Sequence, residues 1–145
     1  MNQKQFAMGL ICGVMISIAG LQLTPFTTVN AVESKTEASW LYELRTYTTP
    51  EGKLDALNAR FREHTMRIFE KHGMKNIAYW NPTDKPNTLI YVIAHKDADA
   101  AKASWDAFRQ DPEWKKVAEE TQRDGKIVSK VESVYMTATD YSPMK

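Results

Sequence analysis

The chain has 145 residues, with 19 lysines and arginines against 18 aspartates and glutamates, 43% hydrophobic residues and one cysteine. This length allows one domain, and a net charge of +1 argues against a general nucleic-acid binder, which would carry a clustered basic excess. A single cysteine excludes an intrachain disulfide and a multi-cysteine metal site.

Residues 1–31 have the order of a secretory signal peptide. One positive charge, Lys4, precedes the almost continuously apolar segment 6–23. Pro25 follows, and Val29 and Ala31 stand at the −3 and −1 positions of a cleavage site. We therefore predict cleavage after Ala31 and export to the periplasm or the extracellular space. An uncleaved membrane anchor is the alternative, because the apolar run is long enough to span a bilayer.

Cleavage after Ala31 would change the charge and the thiol content of the chain. It removes one lysine and the only cysteine, so the mature chain is neutral and suited to an oxidising compartment. Residues 32–39 are polar and short, which predicts a linker. The folded domain is predicted over residues 40–143.

Four segments have the composition and patterning of strands. Residues 40–47 are rich in aromatic and β-favouring side chains, and a Pro-rich and Asn-rich turn separates the next two segments. The third segment is almost continuously apolar, as in a central strand that is covered on both faces. The predicted strands are residues 40–47, 76–80, 88–95 and 126–137.

Two helical regions lie between these strands. Apolar residues at steps of three and four predict a helix that runs to about His72 and ends at Gly73. The second region is predicted over residues 97–110. It restarts at Asp111 and Pro112, which fit an N-cap and a first helical position, and runs to about Arg123.

The order of elements is β-α-β-β-α-β, which is the ferredoxin-like arrangement of the α+β class. Both helices then pack on one face of the sheet. The strands still place large apolar residues on the other face, which a monomer would expose to water. We therefore predict a homodimer in which two sheets pack face to face.

Five short motifs in a fixed order resemble the NIPSNAP family over residues 40–143. They are Tyr42-Glu43-Leu44-Arg45-Thr46-Tyr47, His72-Gly73, Tyr79-Trp80, Asp111-Pro112-Glu113-Trp114 and Asp140-Tyr141-Ser142-Pro143. One departure is Ala78, where the family pattern has glycine. The resemblance implies a dimeric α+β barrel. It implies no single activity, since structural relatives include small monooxygenases, haem-degrading proteins and stress-responsive barrels.

Strand one carries the first group of candidate ligand-binding residues. By alternation, Glu43, Arg45 and Tyr47 lie on one side of the strand. Arg45 is suited to hold a carboxylate or a similar anion by a forked pair of hydrogen bonds. The structural alternative is an ion pair at the dimer interface.

The other candidates are two histidines and a tryptophan. His64 lies at the border of the apolar helix face. Three roles are open for it: a general base, a haem ligand, or a hydrogen-bonded border residue without a chemical function. His95 ends strand three, which predicts a place at a pocket mouth. Trp80 is predicted to line a pocket for an aromatic ligand or to serve in packing. The histidines show no metal-ligand spacing, so no metal site is predicted.

The cationic residues of the first helix do not indicate a nucleic-acid partner. Arg60, Arg67 and Lys71 lie on one flank, but glutamates intersperse, so we interpret the flank as a solvated face. The predicted partners are a second copy of the chain and a small molecule. No membrane contact is predicted for the mature form unless the leader is retained.

Three functional hypotheses follow. The first is an exported dimer of undefined biochemical role that binds a small molecule, with an aromatic one as an option. The second is a cofactor-independent monooxygenase or isomerase-like enzyme that uses His64 and Arg45 on an aromatic or quinone-like substrate. The third is a haem-binding barrel with His64 as the iron ligand. No cofactor is predicted for the first two, and whether the protein is an enzyme stays open.

Overall fold

The computed structural model describes residues 40–144, so the predicted leader (1–31) and linker (32–39) lie outside the described residues. Four strands, four helices and one π-helical turn form in this range. In chain order they are β1 (Leu41–Thr48), α1 (Leu54–Arg60), the π-helical turn (Phe61–Thr65), α2 (Met66–Lys71), β2 (Lys75–Trp80), β3 (Thr88–His95), α3 (Ala98–Gln110), α4 (Pro112–Glu120) and β4 (Lys130–Thr137).

The strands form one antiparallel sheet in the order β2-β3-β1-β4. This order confirms the predicted ferredoxin-like α+β fold. In β1, Glu43 lies opposite Ile93 of β3 and Tyr135 of β4. Strand β4 begins at Lys130, four residues later than predicted, because Ile127 is buried in the core instead of continuing the strand.

The first helical region is interrupted where a continuous helix was predicted. The π-helical turn joins α1 to α2, and the Thr65 hydroxyl donates to the Arg60 carbonyl at 3.2 Å. The prediction that Arg60 lies on a solvated face is wrong, because the residue is only 5% exposed. Position 60 lies about 60° from Leu57 around the helix. There its guanidinium is covered by the ring of Trp114 from α4, 5.1 Å away.

Apolar side chains pack on both faces of the sheet. The larger core lies between the sheet and the helices and contains Leu57, Ile68, Phe69, Tyr91, Ile93 and Phe108. The second face, formed by the even-numbered residues of β1, β3 and β4, carries a smaller cluster of Tyr42, Val92 and Ala94. Val134 and Trp80 remain more than half exposed.

Ionic contacts tie α2 to α4. Asp111 caps α4 by accepting from the Glu113 amide at 2.7 Å, as predicted. The same carboxylate contacts Lys71 at 2.7 Å and His72 at 2.6 Å. The Lys71 and His72 contacts hold the pKa of Asp111 well below its usual range. No helix within residues 40–144 combines the length and apolar character needed to cross a membrane.

Candidate functional site

A cleft of about 620 Å³ opens between α3 and the neighbouring strands β1 and β4. We call it the Arg45 cleft. Glu43 and Arg45 lie opposite Tyr135 and Ser133 of β4, so strand alternation brings these four side chains to one face. From α3, Trp105 closes the cleft, with Lys102 and Arg109 also in its lining.

The carboxylate of Glu43 is the centre of a buried network. Its Oε2 accepts from His95 Nε2 at 2.9 Å and Trp105 Nε1 at 2.7 Å. Its Oε1 accepts from Ser133 Oγ and Arg45 Nη1, both at 2.6 Å. Glu43 is 1% exposed, and burial raises its pKa, but the four hydrogen bonds outweigh burial and lower the pKa to about 2. Glu43 is therefore an ionised positioning group.

Arg45 presents a fixed cation to the cleft. Its guanidinium carbon lies 4.3 Å from the centre of the Trp105 ring, and Nη2 donates to the Tyr47 hydroxyl at 3.3 Å. Burial lowers the pKa of Arg45, but Tyr47, Tyr91 and Glu43 raise it overall. The side chain thus keeps its charge and a planar orientation, both of which suit the recognition of a planar anion.

The charge of the cleft lining is positive. The lining contains three cationic side chains, Arg45, Lys102 and Arg109, but a single carboxylate, Glu43. The oxygens of Glu43 already accept the four hydrogen bonds described above. Asp106 binds both Lys102 and Arg109, at 2.9 and 2.6 Å. An anionic group in the cleft would meet a cation at the floor and two partly neutralised cations on the α3 wall.

A second cleft, of about 370 Å³, lies beside the π-helical turn and the end of β2. We call it the Trp80 cleft. Its aromatic wall includes Phe61, Tyr79 and Trp80. Asn58 and Asn81 also line it and join across it by a hydrogen bond of 3.0 Å.

The structure brings together only part of the predicted site. Glu43, Arg45, Tyr47 and His95 belong to one network, whereas Trp80 lines the other cleft. The predicted position of His95 at a pocket mouth is wrong, because the residue is 0% exposed. It is buried there since β3 is an inner strand of the sheet and the imidazole turns towards Glu43.

His64 lies apart from this network. It is part of the π-helical turn, its side chain is 38% exposed, and its Nε2 is 3.9 Å from Glu63 Oε2. In the part of the chain that the structure describes, His64 lines neither cleft. Its proposed roles as a base or a haem ligand stay predictions.

Several residues of the site were not predicted as ligand contacts. They are Trp105, Ser133 and Tyr135, all of which line the Arg45 cleft. The sequence did hold one indication of this network at Glu43. A carboxylate on the helix side of a central strand is buried, so it must accept hydrogen bonds from neighbouring side chains. Across residues 40–144, no cluster of three His, Cys, Asp or Glu side chains is arranged to hold a metal ion.

Solved structures of other proteins share this fold. A NIPSNAP family protein of unknown function from Agrobacterium tumefaciens has a TM-score of 0.66 and 21% identity, covering 75% of this chain and 96% of that one. A NIPSNAP-like domain protein from Burkholderia xenovorans has a TM-score of 0.64 and 14% identity, covering 73% and 90%.

The same comparison includes SnoaB, a cofactor-independent oxygenase from Streptomyces nogalater. It has a TM-score of 0.54 and 20% identity, covering 73% of this chain and 99% of SnoaB. At these identities the likeness concerns the fold alone.

The family assignment rests on sequence. No curated protein matches the chain significantly. The family model described as NIPSNAP matches residues 42–143, as the five motifs predicted. This match spans well over half of the sequence, and the chain belongs to the NIPSNAP family.

Proposed function

We propose that the protein is an exported homodimer that binds a small planar organic anion in the Arg45 cleft. One observation carries this proposal: Arg45 lies against Trp105 in the lining of a 620 Å³ cleft and is held there by an ionised Glu43. A fixed guanidinium beside an aromatic ring suits a ligand that combines a negative group with a flat apolar part.

The ligand class follows from the two kinds of side chain in the lining. Arg45, Lys102 and Arg109 favour a carboxylate, enolate or phenolate. Trp105 and Tyr135 offer flat apolar contact for an aromatic or quinone-like ring. Because Glu43 keeps its four donors occupied, an incoming anion would use the remaining N–H groups of the cleft cations.

The second face of the sheet supports a homodimer. Val134 is exposed there, and Leu44 and Met136 pack against its buried cluster. Contiguous apolar surface of this kind usually marks an association site. A second copy with the same face would bury it symmetrically.

Native mass spectrometry of the protein from an exporting host tests the export and dimer proposals together. We expect a dimer of chains that have lost residues 1–31. Val134→Glu should give monomers, because it places a charge in the contact. Val131→Glu is the matched control, since Val131 is also exposed on β4 but lies on the opposite face.

Three results would count against these proposals. A wild-type monomer at micromolar concentration would remove the dimer, and a retained leader would remove cleavage after Ala31. If Val134→Glu and Val131→Glu have the same oligomeric state, the dimer contact does not lie on the second face of the sheet.

Ligand chemistry can be tested by calorimetry with aromatic acids and their neutral amides. We expect 2-naphthoate to bind at least tenfold more tightly than 2-naphthamide. Arg45→Lys should remove most of that preference, since lysine cannot form the forked pair of hydrogen bonds. Arg62→Lys, in the Trp80 cleft, is the control and should leave both affinities unchanged. Failure of both probes to bind, or an acid preference that survives Arg45→Lys, would contradict the proposed ligand class.

A second candidate function is cofactor-independent oxygenation. The likeness to SnoaB favours it, and the Arg45 cleft would stabilise an electron-rich enolate or phenolate. In that reaction the bound anion reduces dioxygen, so that one oxygen atom enters the product and the other leaves as water. Oxygen uptake with an anthrone as the probe, reduced by Arg45→Lys, would support this function over binding alone. The isomerase-like and haem-binding alternatives remain predictions that no described contact of His64 favours.

A further inference from the structure

The α3 wall of the Arg45 cleft is tied to a carboxylate that the proposed function does not use. Asp106 accepts from Lys102 Nζ at 2.9 Å through Oδ2 and from Arg109 Nη2 at 2.6 Å through Oδ1. Both cations line the cleft, whereas Asp106 is not among the described residues that line it. A single carboxylate outside the lining therefore binds both wall cations.

The spacing of these residues along α3 explains this arrangement. Lys102 precedes Asp106 by four residues and Arg109 follows it by three, so the three side chains are neighbours on one helix face. Trp105 lies between the same two cations and lines the cleft. Because successive residues are about 100° apart around a helix, Asp106 is turned away from the face that Trp105 presents to the cleft.

The charges of the cleft and of Asp106 can be counted together. Hydrogen bonds from Lys102 and Arg109 hold the pKa of Asp106 below its usual value, so this carboxylate is ionised at neutral pH. Glu43 is bound to Arg45 at 2.6 Å. Among the lysine, arginine, aspartate and glutamate side chains, three cations then meet two carboxylates. One positive charge remains, and Lys102 and Arg109 share it.

This balance favours a ligand with one negative charge. A second anionic group on the ligand would have to compete with Asp106 for Lys102 and Arg109, and the two negative groups would repel each other. Neutralising Asp106 would free both wall cations without changing any residue of the lining.

The packing of α3 does not account for Asp106. Its side chain is 42% exposed, and its contacts with Lys102 and Arg109 are surface ion pairs, which stabilise a helix only slightly. A purely structural role of this kind would leave the choice of ligand unchanged.

We propose that Asp106 sets the charge of the ligand in the Arg45 cleft, because it holds Lys102 and Arg109 so that the cleft accepts a monoanion in preference to a dianion. Asp106 acts through these two cations and does not touch the ligand, so it is a positioning residue that determines specificity. The inference rests on the proposed function, since it concerns the ligand of the same cleft.

Calorimetry with 2-naphthoate and 2,6-naphthalenedicarboxylate tests this inference. The quantity measured is the ratio of the two affinities in each protein. We expect Asp106→Asn to shift this ratio about fivefold towards the diacid, because the second carboxylate then pairs with a freed cation. The shift should shrink in about 1 M salt, since exposed charges are screened.

Two further variants separate the effect of Asp106 from a change in net charge. Asp106→Glu keeps the carboxylate and should retain the wild-type ratio. Glu120→Gln removes an exposed carboxylate of α4 that contacts Arg123 three residues later, just as Asp106 contacts Arg109. Glu120 does not line the cleft in the described chain, so Glu120→Gln should leave the ratio unchanged.

Three results would overturn the inference while the proposed function stands. They are an Asp106→Asn protein with the wild-type ratio, an equal shift in Glu120→Gln, and a wild type that already prefers the diacid by about fivefold or more. Failure of the proposed function looks different: neither acid binds the wild type, or the preference for 2-naphthoate over its amide survives Arg45→Lys. In that case the inference falls with it.

Discussion

Replacing Glu43 by glutamine is expected to lower the free energy of unfolding by about 3 kcal/mol at pH 7. The amide removes the counter-charge of Arg45 and turns one of the two acceptor oxygens into a donor. That donor would face either the N–H groups of His95 and Trp105 or the N–H of Arg45 and the O–H of Ser133. Urea denaturation measures the loss. Glu132→Gln, at an exposed position of β4, is the control and should change the free energy of unfolding by less than about 0.5 kcal/mol.

The Glu43 contribution should also depend on pH in a defined direction. Its pKa is lowered from 4.5 in the unfolded chain to about 2 in the folded protein. A lowered pKa stabilises the folded state above the unfolded value, and this stabilisation is lost as pH falls towards the folded value. The gap between wild type and Glu43→Gln should therefore narrow between about pH 5 and pH 2. A gap that stays constant over this range would show that the charge of Glu43 does not carry the effect.

Replacing Phe69 by alanine is expected to cost about 4 kcal/mol, because it leaves a cavity at the centre of the aromatic core. The Phe69 ring is fully buried, with ring centres of Phe108 at 5.0 Å and Trp105 at 5.4 Å. It also contacts Phe61 and Tyr91, so it joins the helices to the sheet.

Chemical denaturation of Phe69→Ala beside Phe69→Leu measures this cost. Leucine refills part of the cavity, so its loss should be less than half that of alanine. Single domains are stable by about 5–15 kcal/mol, so Phe69→Ala should be partly unfolded at physiological temperature if the wild type lies near the lower bound. A loss below about 1 kcal/mol would contradict the central position of this ring.

Local patterns were sufficient to predict the order of the elements. The third strand was predicted over the residues that β3 occupies, because its apolar run begins after a turn and ends at a charged residue. The π-helical turn was not predictable in this way. Residues 54–72 fit a regular helix of 3.6 residues per turn, so the sequence pattern does not mark the π-helical turn at Phe61–Thr65.

Long-range contacts limited the prediction of the site. Alternation placed Glu43, Arg45 and Tyr47 on one side of β1, and two of these contacts, Arg45 with Glu43 and with Tyr47, are local. The other partners of Glu43 are separated from it by 52, 62 and 90 residues. No periodicity encodes such separations. Arg60 was misplaced for the same reason, since Trp114 covers it from another helix.

The position of β1 within the sheet has a consequence for folding order. β1 is the first strand of the described chain and β4 is the last, yet they are hydrogen-bonded neighbours. Until β4 pairs with it, β1 has an unpaired edge and Glu43 lacks the hydroxyl of Ser133. Closing a loop of this length costs entropy that is recovered only when the whole sheet forms. The sheet can therefore be completed around β1 only once β4, the last strand of the described residues, is available to pair with it.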